Sequence, residues 1–439
     1  MLTINREEVG LALFSARLRA MQDMEPIARS GGSRIALCLK DPIDVIAAIL
    51  ALRERGASVL LIHGDTPPDR AQQLAVEAGC RAMMLQSAQA LVQLQPHLEG
   101  QGAAEQLLQS DVEPSLLQYS SGTTGNAKLV RRSWQEVERE IDAYNAALGE
   151  AAGCKPVVLA PVSHSYGLIC GVLAALKRGI APVVVTNSNP KFALGIIRDT
   201  PEHLVYGVPL LHHVIAGIAP EGFRFHRLMS SGASMPQPLL HLLERMTDVA
   251  VMGQYGCSEV GCISVAQQMT SAADLGKPLS HLTVSTSDQA AMPAEIVISA
   301  NISGGTVDIA TGDLGYRASD GSLIYISRMD DVINIGGQKV FPLEVEERIA
   351  QLPGIKEAAV YRGMHPIMGE SVKAIAVADG GVLPSDIRAW CQEGLPSFKV
   401  PSEIRMAYKL PRTATGKLSR RWIQELEEKG ELETYDGMS

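Results

Sequence analysis

The segment "YSSGTTGNAKLV", Tyr119 to Val130, gathers glycines and hydroxyls around a single cation, Lys128. Gly122 and Gly125 leave backbone N–H groups open, and the hydroxyls of Ser120, Ser121, Thr123 and Thr124 add polar groups without bulk. Such a loop suits phosphate oxygens, with one ammonium to offset their charge. On pattern alone it reads equally well as a glycine-rich turn, because the Walker A spacing is absent from the chain. Four further chemical groups stand far from it in sequence. Asp313 in "ATGDLG" is either a bidentate acceptor or the cap of a turn. Glu259 in "QYGCSE" is one carboxylate, which is enough for a magnesium ion whose other ligands are phosphate oxygens and water. His164 in "PVSHSYGL" lies in apolar surroundings where packing alone accounts for a histidine. Lys417 ends "LPRTATGK" in a stretch, 399–421, whose bases are Lys399, Arg405, Lys409, Arg412, Lys417, Arg420 and Arg421 against the sole acid Glu403. That local reversal of sign points to an anionic partner or to a solvated helix face.

These residues need elements to hold them. Apolar runs at 34–39, 58–62, 81–85, 156–160, 182–186, 203–206, 226–230 and 249–253 read as buried strands. Helical patterns alternate with them, as at 43–54, where Ile43, Ile46, Ile49 and Leu50 share a face. The glycine-rich loop follows the strand-like "SLLQY" and precedes the helix-like "RSWQEVEREIDAYNAAL". This is α/β architecture, with ligands expected at strand C-terminal ends. From 276 to 326 short strands broken by Gly, Ser and Asp replace the alternation. After Asp330 a smaller α+β unit is expected, with helices near 342–351, 384–393 and 420–430 and strands near 357–361 and 372–378. Residues 1–329 are therefore expected to form a large N-terminal domain of α/β subdomains plus a β-rich part, and residues 330–439 a small α+β domain joined by a hinge.

Composition narrows the function. The chain has 439 residues, 46% hydrophobic and 20% charged, enough for two or more domains with their own cores. Its net charge of −9 argues against nucleic acid or an anionic membrane as partner. Small molecules or proteins are expected instead. The seven cysteines form no C-x-x-C pair, which indicates neither a disulfide framework nor a thiolate zinc site and fits a cytoplasmic location. The best apolar run, Gly167 to Leu176, is too short to span a membrane.

"YSSGTTGNAK" resembles the phosphate loop of the adenylate-forming superfamily, the acyl-CoA synthetases, adenylation domains and luciferases. Further segments resemble that family's motifs in its order: "PVSHSYGL" (161–168), "GVP" (207–209), "SSGASMP" (230–236), "QYGCSE" (254–259), "TGD" (311–313), "SRMDDVINIGGQKVFPLEVE" (327–346) and "LPRTATGK" (410–417). Ala127 replaces a usual proline, Ser258 a commoner threonine and Ser327 a common glycine, and the segment before the phosphate loop is shorter than usual.

The resemblance implies ATP-dependent activation of a carboxylic acid to acyl-AMP. It assigns Asp313 and Arg328 to the ribose, Tyr255 and Gly256 to the adenine side, and Gly232 and Ala233 to the nucleotide pocket. Ser258 goes to the α-phosphate, Glu259 to Mg2+, and His164 to the substrate carboxylate. Lys417 is the cation that brings carboxylate and triphosphate together and stabilises the pentacoordinate phosphorus. Asp330 becomes the hinge, and Gly336 and Gly337 the lining of a thiol channel. The missing Phe-Asp pair argues against an α-amino acid, and the small residues around the pocket point to an aromatic or medium acyl acid. The "HxxG" form of "HSYG" favours coenzyme A as thiol acceptor; the alternative is a stand-alone enzyme that loads the phosphopantetheine of an acyl or aryl carrier protein. A nucleotide-binding regulator without catalysis would not need Lys417, Glu259 and Asp313 together.

Overall fold

The computed structural model describes residues 2–85, 91–94, 113–119, 128–302, 305–365, 369–412 and 418–435. Local signals account for the helices that frame the site. Asp41 accepts the Ile43 N–H at 2.9 Å and Pro42 opens the helix Pro42–Glu54. Ser133 and Glu136 close a capping box at the start of the helix Trp134–Ala147, the one expected after the glycine-rich loop.

Two sheets carry the N-terminal part. In one, the strands Ala82–Leu85, Arg34–Cys38, Ser58–Leu61 and Ser115–Tyr119 run parallel, with Leu91–Gln93 and Leu129–Ser133 antiparallel at the edges. In the other, Lys155–Val158, His203–Gly207, Phe225–Ser230 and Thr247–Cys257 are parallel neighbours. Thr247–Cys257 then pairs antiparallel with Gly261–Ala266, and the sheet continues through Asp274–Pro278, Leu323–Arg328, Gly305–Arg317, Ala294–Ile302 and Thr283–Ser285. The expected β-rich stretch is thus an antiparallel extension of the parallel sheet. The strand bearing "QYGC" is where one pattern turns into the other.

A common apolar core lies between the two sheets. Ile35, Val59 and Leu116 from one sheet and Val158, Tyr206 and Met252 from the other meet Ile46, Ile49, Ile141 and Leu168 on intervening helices. The segment Tyr166–Leu173 winds as a π-helix on this core. Past residue 330 the strands Gln338–Val340, Ile333–Ile335, Gly369–Ala378 and Ile355–His365 form a separate sheet, with Glu403–Met406 parallel to Gly369–Ala378. Its two apolar clusters draw only on residues 333–435, and the clusters of the earlier part end at Leu323. The expected helices appear at Pro342–Ala350, Pro384–Gly394 and Arg420–Glu428.

Several elements depart from the sequence reading. The run at 182–186 contributes only Val183–Val184 as strand, and 249–253 extends to Thr247–Cys257. The strands Leu2–Ile4 and Glu7–Val9, the helix Leu11–Gln22 and the strand Glu403–Met406 were not anticipated. Three- and four-residue strands carry too few periods to declare themselves, and they form because a neighbour offers a ladder.

Candidate active site

Asp313 and Arg328 sit opposite one another on adjacent strands. The Arg328 Nη1 donates to Asp313 Oδ1 at 3.0 Å and to the Thr311 carbonyl at 2.9 Å, while the Tyr255 hydroxyl donates to Asp313 Oδ2 at 2.6 Å. Three residues assigned to the nucleotide from three distant motifs therefore meet at one carboxylate. An ionised carboxylate has about four acceptor sites, so each oxygen keeps one for a ribose hydroxyl after these two bonds. Burial pushes the Asp313 carboxyl upward from its ordinary range, and the Tyr255 hydroxyl and Arg328 oppose that shift. Burial also raises the Tyr255 phenol, and the Asp313 charge raises it further, which keeps it a donor. Burial works against the Arg328 charge, yet Asp313 and Asp330 hold its pKa above the usual arginine value. Gly312 is required here: its φ is +72° and a Cβ would lie 2.8 Å from Arg328 Nη2.

Ser258 and Glu259 occupy the turn between Thr247–Cys257 and Gly261–Ala266. The two arms are in close contact at Gly256, where a Cβ would fall 2.3 Å from the Gly261 carbonyl oxygen. Gly256→Ala is expected to lower stability by about 2–3 kcal/mol, as overpacking against backbone does. A thermal melt within error of the parent would contradict that geometry. Burial, followed by the Glu259 charge, pushes the neighbouring Cys257 thiol up to about 12, so it is inert as a nucleophile. Among the described residues no three His, Cys, Asp or Glu side chains converge on a metal position. A magnesium ion carried in on a triphosphate needs no such cluster, and the single carboxylate of Glu259 fits it.

His164 lies in a loop held to the strand that feeds the glycine-rich segment. Gln118 Nε2 donates to the Ser163 carbonyl at 3.0 Å, and the Ser165 hydroxyl donates to Gln118 Oε1. Gly167 permits the tight turn into the π-helix, because a Cβ would lie 2.3 Å from the Pro161 carbonyl oxygen. Gln118 was not singled out from sequence; a lone amide in a strand gives no local signal. Gly232, with φ +85°, and Ala233 are exposed on the loop after Phe225–Ser230, at the C-terminal edge where Gly207, Ser230 and Gly253 are register neighbours. Ser120, Ser121, Gly122, Thr123, Thr124 and Gly125 lie outside the described residues, and Lys128 is exposed just beyond them.

Lys417 also lies outside the described residues, but its flanks do not. Arg412 bridges Leu418 as an isolated antiparallel pair and reaches Glu357 at 3.0 Å. Arg420 donates to Glu346 and to Asp331, each at 2.8 Å, and to the Val360 carbonyl at 2.9 Å. The basic stretch 399–421 is therefore no bare cationic face. Lys399 pairs with Glu344, Arg405 with Glu427 as well as with Glu403 of the same stretch, and Arg421 with Glu425 one turn on, so acids mostly outside the stretch neutralise it. Asp330 pairs with Arg328 Nε at 3.4 Å, and its carbonyl accepts from Arg362 at 2.7 Å. Gly336 and Gly337, at φ +57° and +90°, form the two-residue turn between Ile333–Ile335 and Gln338–Val340, which by itself demands glycine.

The family model described as AMP-binding enzyme matches residues 29–299, and that of the AMP-binding enzyme C-terminal domain matches 344–417. The chain is 47% identical over 424 residues to 3,4-dihydroxybenzoate–[aryl-carrier protein] ligase of Bacillus anthracis, covering 97% of this chain and 98% of that one. It is 26% identical to 2-succinylbenzoate–CoA ligase of Bacillus velezensis over 91% of this chain and 89% of the other. The ATP-bound crystal structure of MatB from Rhodopseudomonas palustris shares the fold, with a TM-score of 0.83 at 17% identity over 98% of this chain and 96% of that one. Matched by the family models over most of its length and 47% identical to a ligase over nearly the whole of both chains, the chain belongs to the AMP-binding enzyme family, the adenylate-forming superfamily.

Proposed function

We propose that the protein activates an aromatic carboxylic acid with ATP and passes it to the phosphopantetheine thiol of an aryl carrier protein. The observation that carries this reading is the 47% identity, over nearly the full length of both chains, to a ligase named for a dihydroxybenzoate and an aryl carrier. It shifts the acceptor from coenzyme A, favoured by the "HSYG" pattern, to the carrier that the sequence left as the alternative. In the first half-reaction a carboxylate oxygen attacks the α-phosphorus, and the bond to pyrophosphate breaks. Asp313 and Arg328 hold the ribose, with Tyr255 against the adenine. Ser258, the loop 120–125 with Lys128, and Lys417 take up charge on the phosphates, and His164 faces the substrate carboxylate. Glu259, together with the phosphates, would hold a magnesium ion, which would supply charge neutralisation there. In the second half the thiol sulfur attacks the acyl carbonyl and AMP leaves.

The separation of apolar clusters on either side of residue 330 supports a boundary there, with 330–439 as the mobile domain and Asp330 as pivot. Gly336 and Gly337 would then line the thiol's path. No described helix is long and apolar enough to cross a membrane. All seven cysteines are free, which supports a reducing, cytoplasmic setting.

Coenzyme A and a phosphopantetheinylated aryl carrier protein, offered together to enzyme preloaded with acyl-AMP, test the acceptor. The carrier is expected to be acylated at least about 100-fold more efficiently, a preference of about 3 kcal/mol. Equal or better use of coenzyme A would return the acceptor to the CoA reading. Tyr255→Phe removes one hydrogen bond to the Asp313 carboxylate and is expected to raise the KM for ATP about tenfold with kcat within threefold. An unchanged KM would remove Tyr255 from the nucleotide site.

A further inference from the structure

Arg132 and Glu140 form an ion pair with side chains 4% and 0% exposed, Nη2 to Oε2 at 2.7 Å. Taking both charges out of water commonly costs as much as their attraction returns, so such a pair calls for a use other than stability. Its surroundings supply one. Arg132 lies on the strand Leu129–Ser133, which leads out of the glycine-rich loop in the smaller sheet, and Glu140 on the helix that follows. The second oxygen of Glu140 accepts the Cys262 N–H at 2.7 Å, in the larger sheet. The pair thus joins the two sheets directly behind the turn that carries Ser258 and Glu259.

Gly261 makes the contact possible. Its φ is +80°, and a Cβ there would lie 2.4 Å from Arg132 Nη1 and 2.5 Å from both Glu140 oxygens. Arg132 Nη1 is buried and has no hydrogen-bond partner. Arg132 also lines a small cavity of about 20 Å³ whose wall includes Glu136, Arg139, Glu259 and His281. The Glu136 Oε1 and His281 Nδ1 are likewise buried without partners. Burial, with Arg132 and Arg139 adding to it, drives His281 down to about 4, so it adds no charge near neutrality.

We propose that the Arg132–Glu140 pair is a positioning element that fixes the Ser258–Glu259 turn relative to the strand leaving the phosphate loop, so that one triphosphate and its magnesium are held from both sides at once. This rests on the proposed adenylation reaction. The pair acts through Gly261 and Cys262, without touching substrate.

The test is the double variant Arg132→Met/Glu140→Leu, which replaces both charges with apolar side chains of similar size. Acid-dependent ATP–pyrophosphate exchange in the parent comes first; its absence there would refute the adenylation reading and not the role of the pair. Given that activity, the double variant is expected to need at least tenfold more magnesium for half-saturation, with KM for the acid within twofold. Calorimetric titration with a non-hydrolysable ATP analogue gives a second readout: the affinity gained on adding magnesium should fall at least tenfold, while affinity without magnesium stays within twofold. Magnesium dependence within twofold of the parent in both measurements would overturn the proposal. Should the double variant melt below the assay temperature, Arg132→Lys carries the test, since it keeps the buried charge and loses the planar fork. A threefold or larger rise in half-saturating magnesium supports the proposal, and an unchanged value overturns it.

Discussion

Lys417→Ala is expected to slow formation of the acyl adenylate about 1,000-fold or more, a loss of about 4 kcal/mol of transition-state stabilisation. Transfer from preformed acyl-AMP to a thiol should stay within threefold. The asymmetry follows from charge. Only the first half brings a carboxylate against a polyanion, and only there does an ammonium between them lower the barrier. In the second half a neutral acyl carbonyl is attacked, and the cation has nothing comparable to offset. The flanks of Lys417 suit the task. Arg412 and Leu418, on either side of it, are bridged to one another, and the half-buried Arg420, fixed to Glu346 and Asp331, anchors the chain just beyond. Burial opposes the Arg420 charge, but Glu346 and Asp331 hold its pKa well above the ordinary arginine value, so the anchor stays charged at any working pH. Single-turnover assays of each half-reaction measure the split, and equal losses in both halves would contradict this role for Lys417.

Asp313→Asn should lower kcat/KM for ATP by about 100- to 1,000-fold, mostly through KM, at a cost of about 3–4 kcal/mol. The amide keeps the size of the carboxylate and loses its charge. It also turns one of the two oxygens into a donor, so either Arg328 Nη1 or the Tyr255 hydroxyl, now at 3.0 and 2.6 Å from Asp313, faces another N–H. The ribose loses an acceptor in the same step. ATP saturation curves at fixed acid, with circular dichroism to confirm the fold, give the answer. A KM for ATP within threefold of the parent would remove Asp313 from nucleotide binding.

Much of this was legible in the chain because the site is assembled from short, chemically marked segments. "ATGDLG" sets a carboxylate beside a glycine, and in the structure Gly312 takes a positive φ next to Asp313. Long apolar runs such as Arg34–Cys38 and Phe225–Ser230 declared their strands because they are buried on both faces. The pairing of distant residues was not legible. Nothing near Tyr255 says that its hydroxyl will meet Asp313, and nothing near Arg132 says that its partner is Glu140 beneath another sheet's hairpin. The stretch 399–421 misled for the same reason: its charge was counted along the chain, whereas Glu344, Glu357, Glu346 and Glu427 balance it in space. Gly336 and Gly337 show the reverse case, in which a motif explained by a thiol channel has a sufficient local cause in a tight turn.

The central claim is that a carboxylate is joined to AMP at the site around Asp313. Exchange of labelled pyrophosphate into ATP, run over a panel of aromatic and aliphatic acids with and without magnesium, addresses it directly. The account predicts exchange that requires both magnesium and one class of acid, with hydroxylated benzoates foremost. ATP that binds but exchanges no label with any acid in the panel would contradict it.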